Sequence, residues 1–241
     1  MRLRAAILGT GLLIMCLARV PARAQETQTD FLPEIDLHLK LNPNAQIFFQ
    51  AKNDREGGDP RQGTLGPSFQ FYRKPLWSLK RLFVFDLDST KLAPWMLESG
   101  YRVITAPDTP VKNRLIEAMT FRFALLHQIG VGNRDRVDLD WQDRVFTWRF
   151  RNRLVVGRMF TIRSLHFAPY AAWEPFYLSQ YGKFAATDIY AGVDVPVGKR
   201  VEFNGYYEHE NNTGKSPNSQ RNYVGLQLQL YFSLQDKPPA P

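Results

Sequence analysis

Apolar and polar residues alternate along most of this chain. Ile35, Leu37, Leu39 and Leu41 alternate with Glu34, Asp36, His38 and Lys40, and because successive side chains of a β-strand point to opposite faces, the segment predicts a strand with one apolar and one wet face. After Asn42-Pro43-Asn44 the pattern returns, with Ala45, Ile47, Phe49 and Ala51 against Gln46, Phe48, Gln50 and Lys52, and runs up to a polar, Gly-rich loop over 53–63. Further strands are predicted over 64–73, 83–88, 95–105, 119–125 and 136–142, the last two as a hairpin. The next strand sets Arg149, Arg151 and Arg153 on one face against Trp148, Phe150 and Leu154, with Asn152 as the one misfit. Strands follow at about 164–178, 189–195, 201–209 and 224–232, the middle two joined by Gly198-Lys199. About twelve strands of the roughly 9–11 residues that a tilted membrane strand needs are therefore expected.

After residue 24 no segment sustains a helical apolar period, and none approaches the roughly 20 apolar residues of a membrane helix. The fold class expected is all-β, an antiparallel transmembrane β-barrel of about 12 strands. The negative mean hydropathy does not oppose this, since a membrane barrel alternates apolar and polar residues and averages out. A soluble periplasmic barrel is the alternative, because it too has one polar face. The membrane reading rests on what that face holds, Arg122, Asp138, Asp140, Arg149, Arg151, Arg153, Glu174, Asp188, Asp194, Glu202 and Glu208, which suit a hydrated lumen, and on Trp and Phe residues near strand ends. With both termini on the periplasmic side the first turn should be external and long, yet Asn42-Pro43-Asn44 is short.

The chain opens with Arg2 and Arg4, an apolar run over 5–17, then Pro21 and Ala22-Arg23-Ala24, the pattern of a secretory signal peptide cleaved after Ala24. The domain plan is a signal peptide over 1–24, a β-barrel domain over 25–234 and a disordered tail with three prolines over 235–241. Cys16 follows Met15 inside the signal and reads as an apolar filler, so the mature chain has neither disulfides nor thiol ligands. The charge of +8 includes Arg2, Arg4, Arg19 and Arg23, and without those four it falls to near +4. Spread in both signs, it gives no clustered basic face, and no nucleic-acid partner is expected. The location expected is the outer membrane of a Gram-negative bacterium, with outer-membrane lipid as partner and the periplasm as alternative.

The runs Phe31-Leu32-Pro33-Glu34-Ile35-Asp36, Leu41-Asn42-Pro43 with Phe48-Phe49, Arg149-Phe150-Arg151-Asn152-Arg153 and Trp173-Glu174-Pro175-Phe176-Tyr177 resemble the bacterial family catalogued as domain of unknown function 2490, regarded as outer-membrane barrels. The resemblance covers most of the mature chain. Asn152-Arg153-Leu154 fits it, whereas Thr187-Asp188-Ile189 departs where a second Asn-Arg-Leu is expected. It implies a fold and a location, and brings no activity or catalytic residues.

Of the constellations that bear chemistry, the charge ladder of Arg149, Arg151 and Arg153 is the strongest, since residues two apart share one wall. Two readings are open: a track for small acidic solutes, or pairing with Asp138 and Asp140 of the preceding strand to fill the lumen, the second being favoured because acids are plentiful nearby. Ser164 and His166 share a face, with Glu174 further along, and lipid hydrolysis needs such groups. Eight residues of strand separate Glu174 from His166, so chance spacing is the better reading. His38, His127 and His209 are scattered, Glu208 to Asn212 reads as a solvated edge more readily than a cation site, and neither a metal site nor a cofactor is expected. Three function classes stay open: a structural or binding barrel, which leads because no chemistry stands out, a channel for small anions or acidic saccharides, and last a lipid hydrolase. Enzymatic activity is thus not the leading expectation.

Overall fold

The structure, a computed structural model, describes residues 29–234 apart from 57–58, 75, 84, 126–128 and 215–217. The signal, tail and His127 readings lie outside the described residues. Twelve strands follow one another: β1 (Thr29–Asn42), β2 (Ala45–Glu56), β3 (Asp59–Tyr72), β4 (Trp95–Thr105), β5 (Lys112–Leu125), β6 (Ile129–Gln142), β7 (Val145–Gly157), β8 (Phe160–Ile162), β9 (Leu165–Leu178), β10 (Lys183–Val197), β11 (Val201–Asn212) and β12 (Ser219–Ser233). Eleven of them close into a barrel. The twelfth, β8, resumes the line of β7 after Arg158 and Met159 and pairs with the start of β9. The segment 83–88 expected as a strand is not one. It belongs to the long β3–β4 connection, which carries helix α1 (Trp77–Leu82) and a 3₁₀ turn (Ser89–Leu92), and its alternation reflects packing inside the barrel.

Hairpin pairing runs unbroken from β1 round to β12, and the ring closes where β1 meets β12 in parallel register, Thr29 beside Asn222 through Lys40 beside Ser233. An odd number of up-and-down strands forces this, because the first and last then point the same way. Chain entry and exit therefore lie at opposite rims, which corrects the expectation of both termini on one side. The near rim is where β1 begins, and the far rim is where β12 ends. Short turns join most strands. At Asp143-Arg144 both residues adopt positive φ, 46° and 64°, the mirror-image turn whose twist suits a two-residue hairpin.

Period two decides the two faces. Phe31, Ile35, Leu37, Leu65, Leu97, Met119, Leu154, Ile189, Val224 and Leu226 are exposed on the outer wall. Outward aromatics gather toward the two rims: Phe31, Trp141, Phe146 and Phe184 near the first, Phe69, Phe71, Phe121, Phe160 and Phe232 near the second. One polar seam crosses this wall on β4 to β7. Ser99 Oγ donates to Glu117 at 2.7 Å, and Asn152 Nδ2 donates to Asp135 at 2.7 Å and to Asn133 at 3.1 Å. The misfit Asn152 is thus outward, matched by polar neighbours on β6. Inside, Asp36, Glu98, Arg102, Asp138, Glu174 and Glu202 are buried, so the barrel's interior is polar.

Candidate functional site

The arginine ladder of β7 is paired from both sides. Asp138 on β6, with no exposed surface, accepts Arg136 Nε at 2.6 Å and Arg149 Nε, and lies 3.7 Å from Arg151. Glu174 on β9 takes the rest of the ladder, with Arg151 Nε at 2.7 Å and Arg153 Nε at 2.7 Å. Arg153 also donates to the Tyr190 hydroxyl at 3.0 Å. Asp140 turns away to a two-bond contact with Arg114 at 2.6 and 2.8 Å. The structure thus brings Asp138 together with Arg149 and Arg151, and leaves Asp140 outside the ladder. Glu174, Arg136 and Arg114 complete the network without having been singled out for it. For Glu174 the signal was there, an inward acid in the alternation of the neighbouring strand.

The walls of the lumen differ in sign. The contiguous arc β4 to β7 turns Arg102, Arg114, Arg122, Arg134, Arg136 and the ladder inward, with Glu98, Asp138 and Asp140 among them, whereas β10 to β12 and β1 present Asp188, Asp194, Glu202, Glu208, Glu210, Glu34 and Asp36, with Arg221 among them. Between them lies a cavity of about 950 Å³ that runs from Arg61, Lys112 and Asn212 at the near rim to Asp88, Thr90 and Lys91. In a confined space of low dielectric such opposed charge acts more strongly than in bulk water.

The β3–β4 segment ends that cavity by folding inward. Leu79 and Leu82 of α1 are buried, and α1 is seated on Gly130, where an added Cβ would stand 2.5 Å from the Phe83 ring and 2.9 Å from Leu82. Asp88 accepts the Thr90 amide and hydroxyl, each at 2.9 Å, and Arg122 donates to the Thr90 carbonyl at 3.0 Å. Tyr72 meets Ser89 at 3.0 Å. The anchor across the lumen is Lys91, whose ammonium lies 2.9 Å from Asp86, 2.9 Å from Asp194 and 3.3 Å from Glu202. Although burial opposes its charge, those carboxylates hold Lys91 well above the ordinary lysine range. Burial likewise opposes ionisation of Asp88, but His38, Lys91, Arg122 and the Thr90 amide outweigh it and hold Asp88 below the usual carboxylate range. Behind the segment a second cavity of about 640 Å³ opens between Leu87, Ser89, His38, Lys40, Lys199, Arg200 and Tyr231. The segment therefore stands as a partition between two cavities of one barrel. Nothing in the alternation marked Lys91 for this part, because it lies in a connection and its partners are on β10 and β11.

The remaining candidates are not brought together. His166 Nδ1 lies 3.0 Å from the Thr161 hydroxyl, its ring stacks on Phe85 with centroids 3.4 Å apart, and Ser164 is exposed in the turn before it. Glu174 is committed to the arginines. Along β11, Glu208 and Glu210 line the lumen while His209 meets Asn222 at 2.7 Å on the other face, so the run Glu208 to Asn212 does not converge on one point. Asp86, Asp194 and Glu202 place oxygens within 4.8 Å of one another, and Lys91 supplies the positive charge that a metal ion would. Comparison of the chain with family models, curated proteins and solved structures found no match in any of the three.

Proposed function

We propose that this chain is an exported barrel of a Gram-negative outer membrane that admits small charged solutes to its lumen, and that the β3–β4 segment closes the lumen toward the far rim. The observation that carries the proposal is the partition itself: two cavities of about 950 and 640 Å³ lie on either side of an inward segment held by the packing of Leu79 and Leu82 and by the ion pairs of Lys91 with Asp194 and Glu202. An apolar outer wall with aromatics toward both rims is what a lipid-facing barrel requires, and closure of the ring pairs each of its eleven strands on both sides. The signal-peptide pattern agrees with export. The hydrolase reading has no such support, since its acid is taken up by arginines.

The paired ladder favours a second reading, a barrel that binds a solute without conducting it. Planar-bilayer recording separates the two when wild-type protein is compared with a variant in which residues 74–92 are replaced by a short Gly-Ser linker. A gated path gives small, intermittent conductance in the wild type and steady, larger conductance in the variant. A barrel silent in both forms, yet folded, is a binder. Fractionation with soluble periplasmic protein would remove the membrane proposal altogether.

A further inference from the structure

The near cavity is lined by acidic side chains on one wall and mainly basic ones on the other, and each wall keeps buried polar atoms unsatisfied, His38 Nε2 and Thr120 Oγ1 among them. On the acidic wall Asp36 and Asp188, only 3 % and 5 % exposed, each have one carboxylate oxygen, Oδ1, without a hydrogen-bond donor. Their other oxygens are used, Asp36 by Gln227 and Asp188 by the Tyr190 hydroxyl at 3.0 Å. On the basic wall Arg134 gives Nη2 to Glu98 at 2.9 Å, while its Nε is buried and finds no acceptor. All three residues line the same cavity. Buried polar atoms in a folded protein are ordinarily satisfied, and those that face a cavity can be completed by water, an ion or a solute that enters it.

We propose that the near cavity takes zwitterionic small molecules, an ammonium at one end and a carboxylate or phosphate at the other, lying across the lumen. The inference rests on the reading of the lumen as open to solutes. The chemistry follows from the two walls. A lone cation meets acceptors on Asp36 or Asp188 but faces Arg102, Arg134 and Arg136 opposite, and a lone anion meets the reverse. Only a molecule with both charges gains at both ends, and its dipole aligns with the field between the walls. A neutral polyol leaves the orphaned Arg134 and aspartate atoms with weaker partners.

Four molecules of nearly equal length test this: 4-aminobutanoate, butanoate, butylamine and 1,4-butanediol, each titrated calorimetrically into the detergent-folded full barrel. In parallel, their entry into proteoliposomes is followed by swelling. The zwitterion should bind at least about tenfold more tightly than either singly charged analogue, and Asp36→Asn with Asp188→Asn should bring it down to the level of butanoate. Equal binding of butylamine and 4-aminobutanoate would overturn the proposal in favour of a simple cation site, as would a double variant that folds and binds like wild type. Equal entry of all four without a preference for the zwitterion overturns this inference and leaves the solute-path reading standing. If none binds and none enters, both fall.

Discussion

Asp138 and Glu174 divide one arginine ladder between them, and each is nearly inaccessible to water, at 0 % and 2 % exposure. A buried carboxylate of this kind is tolerable only because several guanidinium groups meet it, so that reversing one charge costs more than deleting one pair. Arg151→Glu sets a third carboxylate beside Glu174 and Asp138 and should lower barrel stability by about 3–5 kcal/mol, read from urea unfolding in lipid vesicles. Glu174 is the nearer partner, 2.7 Å against 3.7 Å, so Glu174→Arg in the Arg151→Glu background should restore more stability than Asp138→Arg does. Equal rescue by the two would show that the ladder is shared rather than divided. Asp86 poses the opposite case. Burial, and then the neighbouring carboxylates of Glu202, Asp88 and Asp194, push it up to about 8 in spite of Lys91. An acid that binds its proton more tightly docked than released favours docking at low pH. For Asp86 that contribution is full below its ordinary 3.8, declines as pH rises, and is gone above about 8. Lys91 stays charged throughout. Conductance, if the segment gates the lumen, should therefore rise as pH is carried through about 8, and Asp86→Asn should flatten the profile.

At the level of elements, the β3–β4 connection is the part whose role depends most on the rest of the barrel. Gly130 on β6 leaves the space that Leu82 and Phe83 occupy, so Gly130→Val should displace α1 by overpacking while leaving strand pairing intact. The expected result is raised steady conductance, with the gel shift between unheated and boiled protein unchanged. Loss of that shift would mean that Gly130 serves the strand and not the segment. The same element shows where sequence reading stopped. Alternation located eleven of the strands, because a strand with one lipid-like and one wet face repeats every two residues whatever it pairs with. It also proposed a strand at 83–88, where Phe83, Phe85 and Leu87 alternate with polar neighbours for another reason: Phe83 packs on Gly130, Phe85 stacks on His166, and Asp86 and Asp88 meet Lys91 and Thr90. It passed over β8, which at three residues is too short to show a period. The ladder is legible as three inward arginines, and so is its pairing with the preceding strand, although of Asp138 and Asp140 only Asp138 takes part and Asp140 goes to Arg114. The choice of Glu174, like the reach of Lys91 to β10 and β11, depends on which strands become neighbours, and no local pattern encodes that.

Across the whole molecule, closure and orientation are coupled. Eleven strands in the ring put β1 beside β12 in parallel, and the slanted hydrogen bonds of that single parallel seam complete the backbone pairing that a lipid-facing wall needs. The wall beside the seam is apolar: Val224 and Leu226 are exposed, Leu228 and Leu230 follow on the same face, and Ile35 and Leu37 of β1 stand next to them in register. The lumen side of β12 is polar, with Gln227 donating to Glu34 at 3.2 Å and to Asp36. Two adjacent substitutions therefore test the whole orientation at once. Leu228→Arg places a guanidinium on the outer wall and should cost about 2–4 kcal/mol if that wall meets the middle of a bilayer, measured by reversible unfolding from vesicles. Gln227→Arg, one residue away, turns its charge toward Glu34 and Asp36 and should cost much less. In detergent-free buffer a soluble barrel would tolerate Leu228→Arg and suffer from neither change strongly. A large penalty at Leu228 with a small one at Gln227 is the outcome that only a lipid-facing wall around a charged lumen produces, and the reverse order would turn the barrel inside out.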